Sequence, residues 1–156
     1  MPEIKPFRAI MYDPQRVKIP EVVAPPYDVI SKTRCRQLYE LSPNNVVRLI
    51  LGREADPYAS ASRHFAQWTG DGVLSREAQP AVYVLSQHFS GPGGRGVERR
   101  GFIAACRLEE FGSGSIYPHE KTHPGPKEDR LRLFEATNAM FSQIFALYPD
   151  PKHLLD

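Results

Sequence analysis

The segment from residue 119 to residue 130 carries the densest set of side chains that could do chemistry. His119 and Glu120 are suited to proton transfer or to binding a hydrated metal ion. Four further residues offer cationic or hydroxyl donors to a phosphate group: Lys121, Thr122, Lys127 and Arg130. The pattern predicts a binding site for a phosphate or carboxylate, with His119 and Glu120 as its catalytic residues.

The same segment leads into a predicted helix. Gly125 and Pro126 favour a helix start, and the helix is expected to run to about Thr137. A helix N-terminus presents unpaired N–H groups and a positive partial charge, which would add to the cationic side chains around an anion. The alternative is a solvated loop in which Glu128 and Asp129 complement the helix dipole. The sequence alone leaves both interpretations open.

Residues 119–123 also match the H-E-x-x-H motif of zinc proteases. That motif binds metal only when both histidines lie on one face of a helix. Pro124 follows it, and a residue before proline is driven out of the helical region, so His123 is not expected to be helical. The extended motif would place glycine and histidine where Pro126 and Asp129 stand. We therefore expect no metal site and keep a zinc hydrolase only as the weakest alternative.

Two other residues are secondary candidates. Asp28 ends a rigid loop that begins with Pro25 and Pro26, and its carboxylate could serve a site or only a turn. Arg48 lies within an apolar run, so its guanidinium requires a partner. That partner is either a carboxylate of the fold or a bound anion.

The elements that would position these residues form an α+β fold of one domain over residues 1–156. Apolar and β-branched runs predict a mixed, largely antiparallel sheet that includes a long β-hairpin. Capping residues and 3.6-residue spacing predict about three short helices. The strands are expected at 7–12, 46–51, 81–89, 97–108 and 141–148, and the helices at 31–41, 56–70 and 125–137.

Three sets of apolar residues are assigned to the interior faces of these helices. The first helix is expected to turn Cys35, Leu38 and Leu41 to one face, and the last to turn Leu131 and Phe134 inward. The second helix carries an aromatic stripe that is more typical of core than of a ligand platform, made of Tyr58, Ala61, Phe65 and Trp68.

Composition excludes several functional classes. The net charge is only +2, which argues against a nucleic-acid binder. No apolar run reaches the length of a membrane span, and the first residues lack a signal-peptide hydrophobic region. Cys35 and Cys106 have no close partner cysteines, so we expect both as reduced, buried thiols in a cytoplasmic protein.

Several blocks of the sequence, in this order along the chain, resemble the domain-of-unknown-function family DUF1015. These blocks are spread over nearly the whole chain and lie at residues 24–30, 45–51, 56–59, 118–122, 125–131 and 141–145. The resemblance implies a bacterial or archaeal cytosolic protein. It also implies that the chain is similar to the N-terminal portion of longer proteins, whose C-terminal portion would then be its missing partner.

Beyond the matched region, family members carry a segment similar to the nucleotide-binding motif of the ParB and sulfiredoxin-like superfamily. That superfamily includes free-serine kinases, so the resemblance suggests a kinase or phosphotransferase that uses a nucleotide with Mg²⁺. This chain has no such segment, and by itself it is expected to be inactive.

Two hypotheses follow. The first is phosphoryl transfer to a small molecule such as serine, in which the phosphate is held by Lys121, Lys127 and Arg130. Glu120 would activate the nucleophile or bind magnesium, and His119 would assist. In the second, the same segment belongs to a non-catalytic module that binds or senses a nucleotide or another small anion.

Overall fold

A computed structural model describes residues 2–110, 116–118 and 123–148. Within these residues the chain is mixed in helices and strands, so the predicted α+β class is confirmed. The strands are β1 (Ile4–Lys5), β2 (Ile10–Tyr12), β3 (Leu74–Arg76), β4 (Tyr83–Ser90), β5 (Gly96–Ile103) and β6 (Ala105–Cys106). The helices are α1 (Ile19–Val22), α2 (Lys32–Leu41), α3 (Val47–Ile50), α4 (Pro57–Gly70) and α5 (Pro124–Thr137).

The chain divides into two compact units. Unit 1 contains Met1–Ala9, Ala78–His119 and Ser142–Asp156, and unit 2 contains Ile10–Glu77 and Glu120–Phe141. Unit 2 holds every helix named above together with the β2–β3 pair, while unit 1 holds the other strands. The prediction of a single domain stays a prediction.

The three predicted helices are confirmed in unit 2, and their caps explain where they begin. Ser31 accepts a hydrogen bond from the N–H of Arg34 (3.2 Å) at the start of α2. Asp56 accepts from the N–H groups of Tyr58 (3.1 Å) and Ala59 (3.0 Å) at the start of α4. A side-chain oxygen at this position satisfies amides that have no partner inside the helix.

The interior of unit 2 forms where α3, α4, α5 and β3 meet. Its fully buried cluster consists of Leu49, Ala61, Trp68, Leu74 and Leu133. Tyr58 and Phe65 pack against that cluster, so the assignment of the α4 aromatic stripe to the core is confirmed. On α2 Leu38 is buried as expected. Leu41, at the end of that helix, is exposed.

Residues 46–51 were expected as a strand, and this prediction was wrong because α3 occupies most of the run. Asn45 starts the turn: its Oδ1 accepts a hydrogen bond from the N–H of Val47 (3.0 Å). Helical bonds follow from Leu49 N–H to the Val46 carbonyl (2.9 Å) and from Leu51 N–H to the Val47 carbonyl (2.8 Å). A short run that is apolar except for Arg48 has no periodicity that separates a buried strand from a buried helix.

The inward face of α5 also differs from the expectation. Leu133 is the buried residue of this helix, whereas Leu131 is 50% and Phe134 42% exposed. Leu133 belongs to the buried cluster of unit 2. The pattern of apolar residues along α5 does not by itself indicate this contact. The helix ends at Asn138, whose left-handed backbone (φ 50°, ψ 36°) stops the helical turn.

Unit 1 is built around an antiparallel hairpin of β4 and β5, in register from Tyr83 opposite Ile103 to Ser90 opposite Gly96. This confirms the predicted hairpin. The chain reverses through Gly93 and Gly94, which both have a φ of +75°, a conformation that suits glycine. The strand expected at 97–108 is interrupted before β6, which pairs instead with β1.

Other strand predictions need correction. The single strand expected at 7–12 is divided: Phe7 bridges to Ala81 within unit 1, and β2 pairs with β3 within unit 2. Residues 141–148 have no strand, although the sequence is rich in apolar and aromatic side chains. Cys35 is half-buried and Cys106 is exposed, so the expected burial of both thiols was also wrong.

Candidate functional site

Four of the predicted site residues lie outside the described part of the chain. They are the two predicted catalytic residues and two of the phosphate ligands: His119, Glu120, Lys121 and Thr122. The structure therefore bears on the remaining candidates, namely Lys127, Arg130, Asp28 and Arg48.

The start of α5 offers few backbone donors to an anion. The helix begins at Pro124 and continues with Gly125 and Pro126, and proline has no N–H group. Among these three residues, Gly125 alone carries a backbone N–H. The predicted contribution of the helix amides is thus small, and an anion here would depend on the cationic side chains.

His123 precedes this helix in an extended conformation (φ −66°, ψ 140°). The expectation that Pro124 keeps His123 out of a helix is confirmed. The helical geometry that H-E-x-x-H chemistry requires is therefore not present at the second histidine. Among the residues that the structure describes, no group of three or more histidines, cysteines or acids is placed to hold a metal ion.

Lys127 and Arg130 are three residues apart and so lie on neighbouring positions of one face of α5. Lys127 is exposed, whereas Arg130 is partly buried. The Nε of Arg130 donates to Asp129 (2.9 Å), and its Nη2 donates to Asp129 and to the Ile50 carbonyl (3.2 Å). Its guanidinium also lies over the ring of Tyr27, 4.3 Å from the centroid.

This last contact joins two segments that the sequence identifies separately. Tyr27 belongs to the loop of Pro25, Pro26 and Asp28, and Arg130 belongs to the charged segment. Asp28 itself is exposed in a 3-10 turn over Tyr27–Val29, and within the described chain it makes no hydrogen bond or ion pair. The loop therefore approaches α5 through its aromatic ring and not through its carboxylate.

A tyrosine of α4 completes the contacts of this cluster. The Tyr58 hydroxyl donates to Asp129 (2.9 Å), and Arg132 lies over the Tyr58 ring at 4.3 Å. The hydrogen bond to Asp129, together with burial, raises the pKa of the Tyr58 hydroxyl. Tyr27, Tyr58 and Asp129 were missed as partners of Arg130, because their side chains come together only through the fold.

One nitrogen of Arg130 remains without an acceptor. Nη1 is buried, and no hydrogen-bond partner for it exists among the described residues. A buried donor without a partner is unfavourable by about 1–3 kcal/mol. Nε and Nη2 of Arg130 therefore have hydrogen-bond acceptors, whereas Nη1 has none among the described residues.

Arg48 does not join this cluster. Its Nη2 donates to the Tyr39 carbonyl (2.7 Å), and its guanidinium lies 4.5 Å from the centroid of the Tyr39 ring. Its Nε is buried and has no partner in the described structure. The partners of Arg48 are therefore the backbone carbonyl and the aromatic ring of Tyr39. A carboxylate or a bound anion was expected from the sequence.

The sequence relationship covers almost the whole chain. The model of the family described as a protein of unknown function (DUF1015) matches residues 4–156. The chain belongs to DUF1015. The loop of Tyr27 and the start of α5, which meet at Arg130, both lie inside the region matched by DUF1015.

Comparison with curated proteins finds no match to this DUF1015 chain, and comparison with solved structures finds none. Of the helices in the described residues, none combines the length and the apolar character that crossing a membrane requires.

Proposed function

We propose that this chain is the phosphate-binding portion of an enzyme that transfers phosphoryl groups to small molecules, with an amino acid such as serine as the acceptor class. The observation that carries the proposal is the anchored guanidinium of Arg130. Tyr27, Asp129 and the Ile50 carbonyl fix its position before any ligand binds. Catalysis of phosphoryl transfer depends mainly on positioning and charge neutralisation, for which a fixed cation is suited.

Lys127 and Nη1 of Arg130 are the two groups that would hold an anion. Lys127 is exposed on the same face of α5 and makes no ion pair with the described residues. It therefore supplies a full charge, whereas the charge of Arg130 is partly balanced by Asp129. A phosphate oxygen that reached Nη1 of Arg130 after a local movement would provide the acceptor that this nitrogen lacks.

The proposed roles of the preceding residues follow from their chemistry and their closeness in sequence. Lys121 and Thr122 add donors to phosphate, Glu120 activates the nucleophile, and His119 assists proton transfer. A nucleotide with Mg²⁺ is the proposed phosphoryl donor. We also propose a cytoplasmic location, for which the two free cysteines are the support.

The test of catalysis uses the complete protein that contains this chain, a nucleotide and an amino-acid acceptor. Glu120→Gln is expected to abolish turnover because it removes the proposed base without a large change in size. Glu128→Gln is the matched control, since Glu128 is exposed and has no proposed role. Unchanged turnover in Glu120→Gln would remove Glu120 from the mechanism.

The test of binding is calorimetric titration of a nucleotide into the same protein. Lys127→Ala should weaken binding about tenfold, the effect of losing about 1.4 kcal/mol from one charge-assisted contact. Because Lys127 is exposed, the fold should be unchanged. Nucleotide binding that depends on Lys127 but is never followed by turnover would instead identify a non-catalytic regulatory module.

A further inference from the structure

A second cluster of positive charge lies in unit 2, on residues that differ from those of the proposed phosphate site. Lys32, Cys35 and Arg36 are spaced at three and four residues on α2, so their side chains share one face. This face borders the segment that follows α3. Together they form an open groove of about 530 Å³, called here the basic groove, lined by Ile30, Lys32, Cys35, Arg36, Leu51, Gly52 and Arg53.

The charge of the basic groove is not balanced by its own walls. Lys32, Arg36 and Arg53 line it, and the lining contains no acidic residue. None of the three makes an ion pair within the part of the chain that the structure describes. Glu54, the acid next in sequence, instead accepts a hydrogen bond from the backbone N–H of Arg53 (2.9 Å).

The interactions of Glu54 are consistent with this backbone role. Burial raises the pKa of Glu54, but hydrogen bonds from its own N–H and that of Arg53, with further help from Ser60 and His64, outweigh that effect and leave the pKa lowered. Glu54 therefore stays ionised through its local contacts. Its carboxylate lies against Gly52, with Oε2 3.3 Å from the position that a β-carbon would take there, but Glu54 itself does not line the groove.

The wall formed by residues 51–53 is held in place by neighbouring elements. The hydroxyl of Tyr39 on α2 donates to the Leu51 carbonyl (3.2 Å), and the Arg53 guanidinium lies 4.2 Å from the centroid of the Tyr39 ring. Gly52 packs so closely that a β-carbon there would stand 2.9 Å from the β-carbon of Pro57. The groove is thus preformed, which lowers the entropic cost of binding.

We propose that the basic groove binds a small phosphate ester that carries two negative charges on a partly apolar body. The three cations would surround the phosphate, and Ile30 and Leu51 would contact the organic part. The groove volume lies within the range of about 300–1,000 Å³ that is typical of small-molecule sites. This site is independent of the function proposed at Arg130, because the two share no residue.

The experiment is a ¹H–¹⁵N NMR titration of the full chain with phenyl phosphate, which combines a dianion with an apolar ring. Saturable shifts are expected at the amides of residues 30–36 and 51–53. Inorganic phosphate, titrated in parallel, should bind at the same amides about tenfold more weakly, because it lacks the apolar contacts. Saturation confined to amides around Lys127 and Arg130 would support the proposed function and overturn the groove.

Variants on matched positions decide whether the groove side chains are responsible. Arg36→Ala and Arg53→Ala should each weaken phenyl phosphate binding about tenfold, and both residues are exposed, so the spectrum should otherwise remain that of the folded protein. Arg34→Ala is the control, because Arg34 lies elsewhere on α2, contacts Gln37 and does not line the groove. Equal affinity in all three variants, or shifts that never saturate, would overturn the proposal.

Discussion

The two units of this chain bury their apolar side chains to very different extents. Every buried apolar residue among those that the structure describes belongs to unit 2: Val22, Leu38, Val47, Leu49, Ala61, Trp68, Leu74 and Leu133. In the described part of unit 1 no residue is fully buried. Val84 is 86% exposed on β4, and Leu147 is 87% exposed near the end of the described chain.

The difference follows from how helices and hairpins form a core. In unit 2, α3, α4 and α5 bury apolar residues against one another, with β2 and β3 closing the cluster. A hairpin of two strands has two faces and is only marginally stable without a further layer. We therefore expect unit 2 to carry most of the folding free energy, and the described residues of both candidate binding sites lie on it.

The largest effect that tests this comparison is expected from the core of unit 2. Trp68 is 2% exposed, so Trp68→Ala should lower the free energy of unfolding by about 3–5 kcal/mol. Phe89→Ala is the matched variant in unit 1, where Phe89 is 47% exposed, and it should have an effect of less than about 1 kcal/mol. Urea denaturation of both variants measures the difference, and similar losses would show that the units are equally packed.

The next effect concerns the buried polar residue that begins α3. Asn45 donates through Nδ2 to the carbonyls of Glu21 (2.8 Å) and Val23 (3.1 Å), in addition to its bond with Val47. Asn45→Ala leaves the buried N–H of Val47 and the part-buried carbonyls of Glu21 and Val23 without their partner, and it should destabilise the protein by about 3 kcal/mol.

Asn44→Ala is the control for that experiment, because Asn44 makes its hydrogen bonds with Tyr12 and Ser42 through its backbone carbonyl and N–H. Thermal unfolding of the two variants should separate by several degrees. Equal melting temperatures would show that Asn45 does not hold α3 to the chain near α1.

A smaller, pH-dependent effect is expected at Tyr12, whose hydroxyl donates to the Asn44 carbonyl (2.7 Å). Burial raises the pKa of Tyr12, so the folded state keeps the phenol neutral at a pH where the unfolded chain ionises. The resulting stability is present below the unfolded value of about 10 and is lost as the pH rises above it.

Tyr12→Phe removes the hydrogen bond to Asn44 and should lower the free energy of unfolding by about 1 kcal/mol at neutral pH. It should also make the loss of stability above a pH of about 10 less steep than in the unmodified protein, since phenylalanine does not ionise. Denaturation curves over alkaline pH measure both quantities. Parallel pH profiles for the two proteins would contradict the assignment to Tyr12.

The smallest effect is expected in the polar network of the hairpin. Glu98 pairs with Arg100 (3.1 Å) and accepts from Ser86 (2.7 Å), and these contacts lower the pKa of its carboxyl. Because the network is solvent-exposed, Glu98→Gln should leave the midpoint of urea denaturation nearly unchanged. A larger loss in urea denaturation would mean that unit 1 is held by its polar surface.

The sequence predicts best where a single local signal decides the structure. Ser31, and Asp56 with Pro57, give helix starts that the structure confirms, because capping depends on neighbouring residues alone. The run at 46–51 was misread as a strand because its apolar pattern suits either element, and because Asn45 before it is also held by bonds to Glu21 and Val23, more than twenty residues earlier. Distant contacts of this kind leave no local pattern.

The same limit applies to the candidate sites. Arg130 was identified from its charge at the start of a helix, but its contacts with Tyr27 and Tyr58, the latter through Asp129, required the fold. The basic groove joins α2 to the segment after α3, and neither piece shows a binding motif by itself. Arg48 was singled out correctly as needing a partner, yet that partner proved to be Tyr39.

The two guanidinium groups at Tyr39 have a consequence for base recognition. Arg48 and Arg53 both lie over this ring, and the basic groove beside it contains no aromatic lining residue. Proteins that bind nucleobases without base pairing commonly stack them on exposed aromatic rings. A nucleotide in the groove would be held by its phosphates and by contacts with Ile30 and Leu51, without stacking on a ring, so purine and pyrimidine nucleotides should bind there with similar affinity.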